Sequence, residues 1–213
     1  MEKRNSKIKY FESIPAVPKR EMILSRLGYR KDITVLGSKE LSQLEEAIEL
    51  GASLCKPSGA YMFVPIASLG GCETVLDNGI FFRSQSLSKL LEDSRCVVLM
   101  ASTVGREVTE RIFHDVNEGD ASKGLIIDSV ASQTADAALD WMMHFLGKML
   151  VREGKKLTKH RYSPGFGDLP LVYQKDIFNA LQLERLDIAL TEKFMLVPEK
   201  SVIAIAGVEE KGS

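Results

Sequence analysis

An α+β fold, with a largely antiparallel sheet and packed helices, is predicted by three features of this 213-residue chain. Helical and extended patterns come in uneven groups and not in a regular βαβ alternation, which disfavours a doubly wound parallel sheet. The stretch ETVLDNGIFFRS sets apolar runs on both sides of Asn78-Gly79, a strong hairpin signal because both turn positions tolerate positive φ. A Rossmann fold needs a glycine-rich turn between its first strand and helix, and the corresponding stretch, ITVLGSKE, offers the single Gly37.

Residues 1–19, charged and punctuated by Pro15 and Pro18, read as a loosely docked arm, with one domain from Arg20 to Ser213. SKELSQLEEAIELG carries Leu41, Leu44 and Ile48 at helical spacing, with Ser38 placed to cap the helix and Gly51 to stop it. AYMFVPIA is a strand interrupted by Pro65, which suits an edge or a bulge. SLSKLLEDS is a short helix and RCVVLMAST a continuous apolar strand that runs into a turn at Gly105. Helical patterns follow from Arg106 to Glu118 and from Ala121 to about Glu153. On the second, Ala131, Ala135, Ala138 and Met142 form a narrow stripe that implies close approach to another backbone. Pro170 opens a helix through Leu181, since proline is tolerated in a first turn. IALTEKFMLVPEKSVIAIAGV gives two or three strands joined by the turn at Pro198-Glu199-Lys200.

Composition excludes several classes of function. Apolar residues make up 45% and charged residues 27%, enough for a core. Lys plus Arg number 28 against 29 acids, so net charge recruits neither nucleic acid nor an anionic membrane. Cys55, Cys72 and Cys96 are scattered, without a CxxC pair or a histidine at metal spacing. The first twenty residues hold no apolar segment of signal-peptide type, so a cytoplasmic location is expected.

Catalytic signatures are sparse. Ser-x-x-Lys occurs at Ser6/Lys9, Ser53/Lys56 and Ser86/Lys89 without its companion motifs. His114, His144 and His160 define no metal site. Asp136 and Asp140, one helical turn apart, are either a carboxylate pair or an exposed helix face. No catalytic or metal-binding residue is assigned.

The stretch RYSPGFGDLP differs. Gly165 and Gly167 allow close backbone approach or positive φ, Pro164 stiffens the turn, and Arg161 offers a planar fork suited to a carboxylate. A plain turn leading into a helix accounts for the same residues. The segment from Arg161 to Val208 resembles the activation domain of cobalamin-dependent methionine synthase. Arg161, Pro164, Gly165 and Phe166 match its Arg-x-x-Pro-Gly-Tyr stretch, and LTEKFMLVPEKSV matches its later Leu-Thr-Glu-Ser block. Weaker similarity in LMASTVGREVTERI and DSVASQTADAALD extends the resemblance over roughly residues 20–207.

The resemblance implies a stand-alone S-adenosylmethionine-binding module. It would serve a cobalamin-bearing methionine synthase that lacks its own activation domain, with a flavodoxin-type electron donor, in the reductive methylation of cob(II)alamin to methylcobalamin. It would not be catalytic alone. The alternative is a non-catalytic S-adenosylmethionine-binding regulatory or docking module for another corrinoid protein. On this resemblance Arg161 pairs with the methionine carboxylate, Ser163 and Gly165 supply backbone groups beside Pro164, Phe166 lines the adenosine pocket, and Gln133 stands where the family has a glutamate. Phe166 departs from the family's tyrosine and lacks its hydroxyl.

Overall fold

The computed structural model describes residues 7–30 and 33–211. Residues 1–6 of the expected arm, with Ser6 of the first Ser-x-x-Lys pair, lie outside them. Among the described residues are a seven-stranded antiparallel sheet, a two-stranded ribbon and six α-helices, so the α+β expectation holds. The large sheet runs β4 (Phe81–Arg83), β3 (Glu73–Leu76), β2 (Ser58–Gly70), β5 (Ser94–Thr103), β9 (Ser201–Glu210), β6 (Lys155–Leu157), and β1 (Lys9–Phe11) also pairs with β2. The ribbon is β7 (Ala189–Leu190) with β8 (Leu196–Val197).

The sheet is covered on both faces, which is why β5 reads as a continuous apolar run and does not alternate. Val98, Met100, Ala204 and Ala206 pack under α5 (Ala121–Val151), against Leu139, Met142 and Leu146. Val97, Leu99, Ala101, Ile203 and Ile205 face α3 (Gln85–Leu90), α6 (Gln174–Leu181) and the loop carrying Leu169. Each such side chain contributes about 1.5–3 kcal/mol of burial. The small-residue stripe behaves as expected: Ala131, Ala135 and Ala138 are buried, and the Ser102 hydroxyl of β5 reaches the Ala135 carbonyl of α5 at 3.0 Å.

Three expectations are corrected. Residues 7–19 are not simply a docked arm, because β1 extends the sheet and Ile14 is buried in the core beneath α5. Ser38 does not cap α2 (Ser38–Leu54); Gly37 is the N-cap, and no side chain bonds there. Nor does Gly51 stop that helix. It lies inside it, where an added Cβ would stand 3.1 Å from Val130 Cβ, so it lets α2 approach α5 closely. Of the two readings of Pro65 the bulge holds and the edge does not: it is in a central strand, opposite Cys96 and next to a bulge between Ile66 and Ser68. The Asn78-Gly79 hairpin forms, with Gly79 alone at positive φ, 85°. β6 is unheralded in the sequence because Lys155–Leu157 is short and basic; its pairing with β9 alone makes it a strand.

α1 (Arg20–Arg26) is tied to α5 by the Ser129 hydroxyl, which donates to the Ile23 carbonyl at 3.0 Å. α4 (Glu107–Asn117) packs beside α2 and α5 around Val108, Ile127 and Ala131. No helix of the described residues is long and apolar enough to cross a membrane.

Candidate functional site

Where β6 stops, the sheet opens. β6 pairs with β9 at Val208–Glu210, and Tyr162 then forms an isolated bridge with Ile205, its N–H donating to the Ile205 carbonyl at 2.8 Å and its carbonyl accepting at 2.7 Å. Beyond that bridge, Ser201–Ile203 border a cleft of about 1030 Å³. α5 forms one wall through Ser132, Ala135, Asp136, Asp140 and Met143, and the RYSPGFGDLP loop forms the other through Arg161, Ser163, Pro164 and Phe166. Leu196, Val202 and Ile203 give it an apolar floor, and Gln174 joins them from the start of α6. The volume suits a nucleoside-sized ligand.

Arg161 reaches across the cleft. Its guanidinium pairs with Asp140 and, at 3.3 Å, with Asp136. The arginine side chain is 24% exposed while the two aspartates are 56% and 69% exposed, so the pair is open to ligand and solvent. Two carboxylates and one guanidinium leave one net negative charge. Arg26, Lys159, His160 and Glu199 also line the cleft, and Lys200 is held by Asp128 at 2.6 Å.

The loop is fixed from behind by Asp168. Its carboxylate accepts from the Ser84 hydroxyl at 2.7 Å, from Gln85 N–H at 2.7 Å and from Ser86 N–H at 3.2 Å, where α3 begins. These donors, the Ser84 hydroxyl foremost, hold the carboxyl well below the usual carboxylate range. A depressed carboxylate stabilises the fold above its unfolded value near pH 4, and that contribution disappears as pH falls toward the folded value. The melting temperature of the wild type is therefore expected to drop more between pH 5 and pH 3 than that of Asp168→Asn; equal drops would remove Asp168 from the acid response.

Gly165 and Gly167 adopt φ of 94° and 52°, and a Cβ on Gly167 would stand 2.2 Å from Tyr162 Oη. The glycines thus serve the turn's shape. Gly165 does not line the cleft, and its N–H is spent on the Leu169 carbonyl at 2.8 Å, so it has no backbone donor for a ligand. Phe166 is on the wall but 69% exposed, so it forms a rim and not an enclosed pocket. Pro164, which is buried, and Ser163 both line the cleft. Gln133 does not line the cleft. At 100° per residue, the side of α5 that reaches it carries Ser132, Asp136, Asp140 and Met143, and Gln133 stands at the edge of that side, about 20° around the helix from Asp140 and two turns before it.

Sequence reasoning left Asp136 and Asp140 undecided and passed over Gln174, Lys200 and the edge of β9. The aspartates carried a signal, a repeat at i, i+4 flanking the alanine stripe. The others carried none. Among the described residues there is no cluster of three metal-ligating side chains, and burial pushes the Cys55 thiol up to about 11, leaving it protonated at neutral pH.

The protein is thus an α+β domain with a charged, ligand-sized cleft at an open sheet edge. Its fold is like that of the methionine synthase activation domain: it matches a solved structure described as the crystal structure of the MetH reactivation domain bound to AdoHcy, with a TM-score of 0.73 and 13% identity, over 99% of this chain and 81% of that one. No protein-family model and no curated protein sequence matches the chain.

Proposed function

We propose that this chain binds S-adenosylmethionine in the cleft and presents its methyl group to a cobalamin-bearing partner, as the reactivation component of a methionine synthase system. The observation that carries the reading is the Arg161–Asp136–Asp140 cluster at the mouth of a nucleoside-sized cleft. The fold adds support, being like that of a reactivation domain described with bound AdoHcy.

The chemistry of the cluster fits the ligand. S-adenosylmethionine carries an ammonium, a carboxylate and a sulfonium, and the cluster offers a guanidinium for its carboxylate and two carboxylates for its cationic groups. Arg161 can exchange an aspartate for the ligand carboxylate, and the released aspartate can take the ammonium, so every charge stays paired. Among the described residues no activated nucleophile or metal cluster adjoins the cleft. When bound to the partner, reduced cobalamin would supply that nucleophile, with the electron drawn from a flavodoxin-type donor. The chain's part is to orient the sulfonium methyl and shield it from water. A cytoplasmic setting belongs to the same proposal.

Two measurements test it. Calorimetric titration with S-adenosylmethionine should show one saturable site. Mixed with a cobalamin-bearing synthase and an active reductant, the chain should raise the rate at which absorbance reports methylated cobalamin, and the chain alone should methylate nothing. Equal rates with and without the chain would refute the reactivation role while leaving binding to stand.

A further inference from the structure

We infer that the open edge of β9 at Ile203, with Gln174 beside it, reads the amino edge of adenine and makes the cleft selective for 6-aminopurine nucleosides over 6-oxopurine ones. The inference rests on the proposed S-adenosylmethionine site and specifies how its base is chosen.

The backbone argument follows from register. β5 and β9 pair with Leu99 opposite Ile205 and Ala101 opposite Ile203. In an antiparallel ladder, directly opposed residues alternate between pairs that exchange hydrogen bonds and pairs that do not. Ile205 gives both its backbone groups to Tyr162, on the side away from β5. Ile203, two residues along, has the same orientation, so its N–H and C=O also point away from β5. There β6 has ended and the Tyr162 bridge has been passed, and the cleft takes their place. Ile203 thus offers the cleft a donor and an acceptor from one extended residue. Adenine presents a matching pair, the N1 acceptor beside the N6 amino donor.

Gln174 supplies the second, independent observation. It lines the same cleft, and its Oε1 is shielded from water without a hydrogen-bond partner. An unpaired buried acceptor is costly, and a purine amino group seated at that wall would provide the missing donor. A 6-oxopurine reverses the pattern, with a carbonyl at position 6 and a proton on N1. Were the ligand's amino-acid end fixed at Arg161, the base could not shift to restore the match. The apolar floor of Leu196 and Ile203 would hold either ring, so discrimination falls to the polar edge.

The test is calorimetric titration of the full chain with S-adenosylhomocysteine and with S-inosylhomocysteine, which differ at the purine 6-position. The adenosyl compound should bind at least about tenfold tighter, the effect of one lost hydrogen bond with its partner left unpaired. Gln174→Met, which keeps the volume and removes the amide, should narrow that ratio, with an unchanged melting temperature showing that the fold is intact. Equal affinities in the wild type would overturn the inference and leave the S-adenosylmethionine reading standing. An unchanged ratio in the Gln174 variant would overturn the role of Gln174. Binding of neither compound would overturn the nucleoside site itself, and this inference with it.

Discussion

Replacing Gly207 with valine should destabilise the protein by about 3 kcal/mol, the upper end for overpacking a filled core, and should weaken ligand binding as well. Gly207 is central in β9, and its Cβ position is already occupied: an added carbon would stand 2.1 Å from Ser94 Oγ, 2.8 Å from Thr158 Cγ2 and 2.9 Å from Leu91 Cδ2. Ser94 Oγ is a buried atom without a hydrogen-bond partner, so displacing it opens no better contact. Thr158 is bound to Gly207 in both directions, its N–H donating to the Gly207 carbonyl at 2.9 Å and its hydroxyl accepting from Gly207 N–H at 3.0 Å. Pushing Thr158 away moves the chain three residues before Arg161. The variant should therefore show a lower midpoint in urea and a lower affinity for S-adenosylmethionine. A wild-type midpoint would contradict the packing argument.

Arg161→Ala should have the opposite profile, a large loss of binding with little loss of stability. Removing a charge-assisted contact to the ligand carboxylate costs roughly 1.5–3 kcal/mol, or about ten- to a hundredfold in affinity. The variant also leaves Asp136 and Asp140 to repel the carboxylate that Arg161 received. Stability should fall by no more than about 1 kcal/mol, because the ion pairs that Arg161 makes are with exposed aspartates. Arg161→Lys should recover only part of the affinity, since an ammonium lacks the two-pronged geometry of the guanidinium. Calorimetry and thermal melting on the same samples separate the two effects. Wild-type affinity in Arg161→Ala would sink the assignment.

These two variants divide the molecule as the sequence itself divides it. The periodicity of α5, the run of β5 and the Asn78-Gly79 turn are local patterns with local causes, so the α+β class and most elements could be read from them. Arg161, Ser163 and Pro164 could be read because a short loop of special backbone residues is also a local feature. Gln133 does not line the cleft, and the sequence could not show this: it shares a helix face with Asp140 two turns away, and only packing decides which residues along that face meet the Arg161 loop.

The sequence by itself determined the class of fold, its largely antiparallel sheet with packed helices and the arginine-bearing loop, because propensity, hydrophobic period and turn chemistry act over a few residues. Tertiary structure alone decided which groups face that arginine. It brought Asp136 and Asp140 of α5 against Arg161, anchored the loop through Asp168 on the start of α3, and ended β6 early enough to leave the β9 edge at Ile203 to the cleft that Gln174 also lines. Each of these is a meeting of segments distant in the chain, set by how α5 and β9 pack, and burial of a shared core fixes that packing without leaving a mark at the residues it brings together.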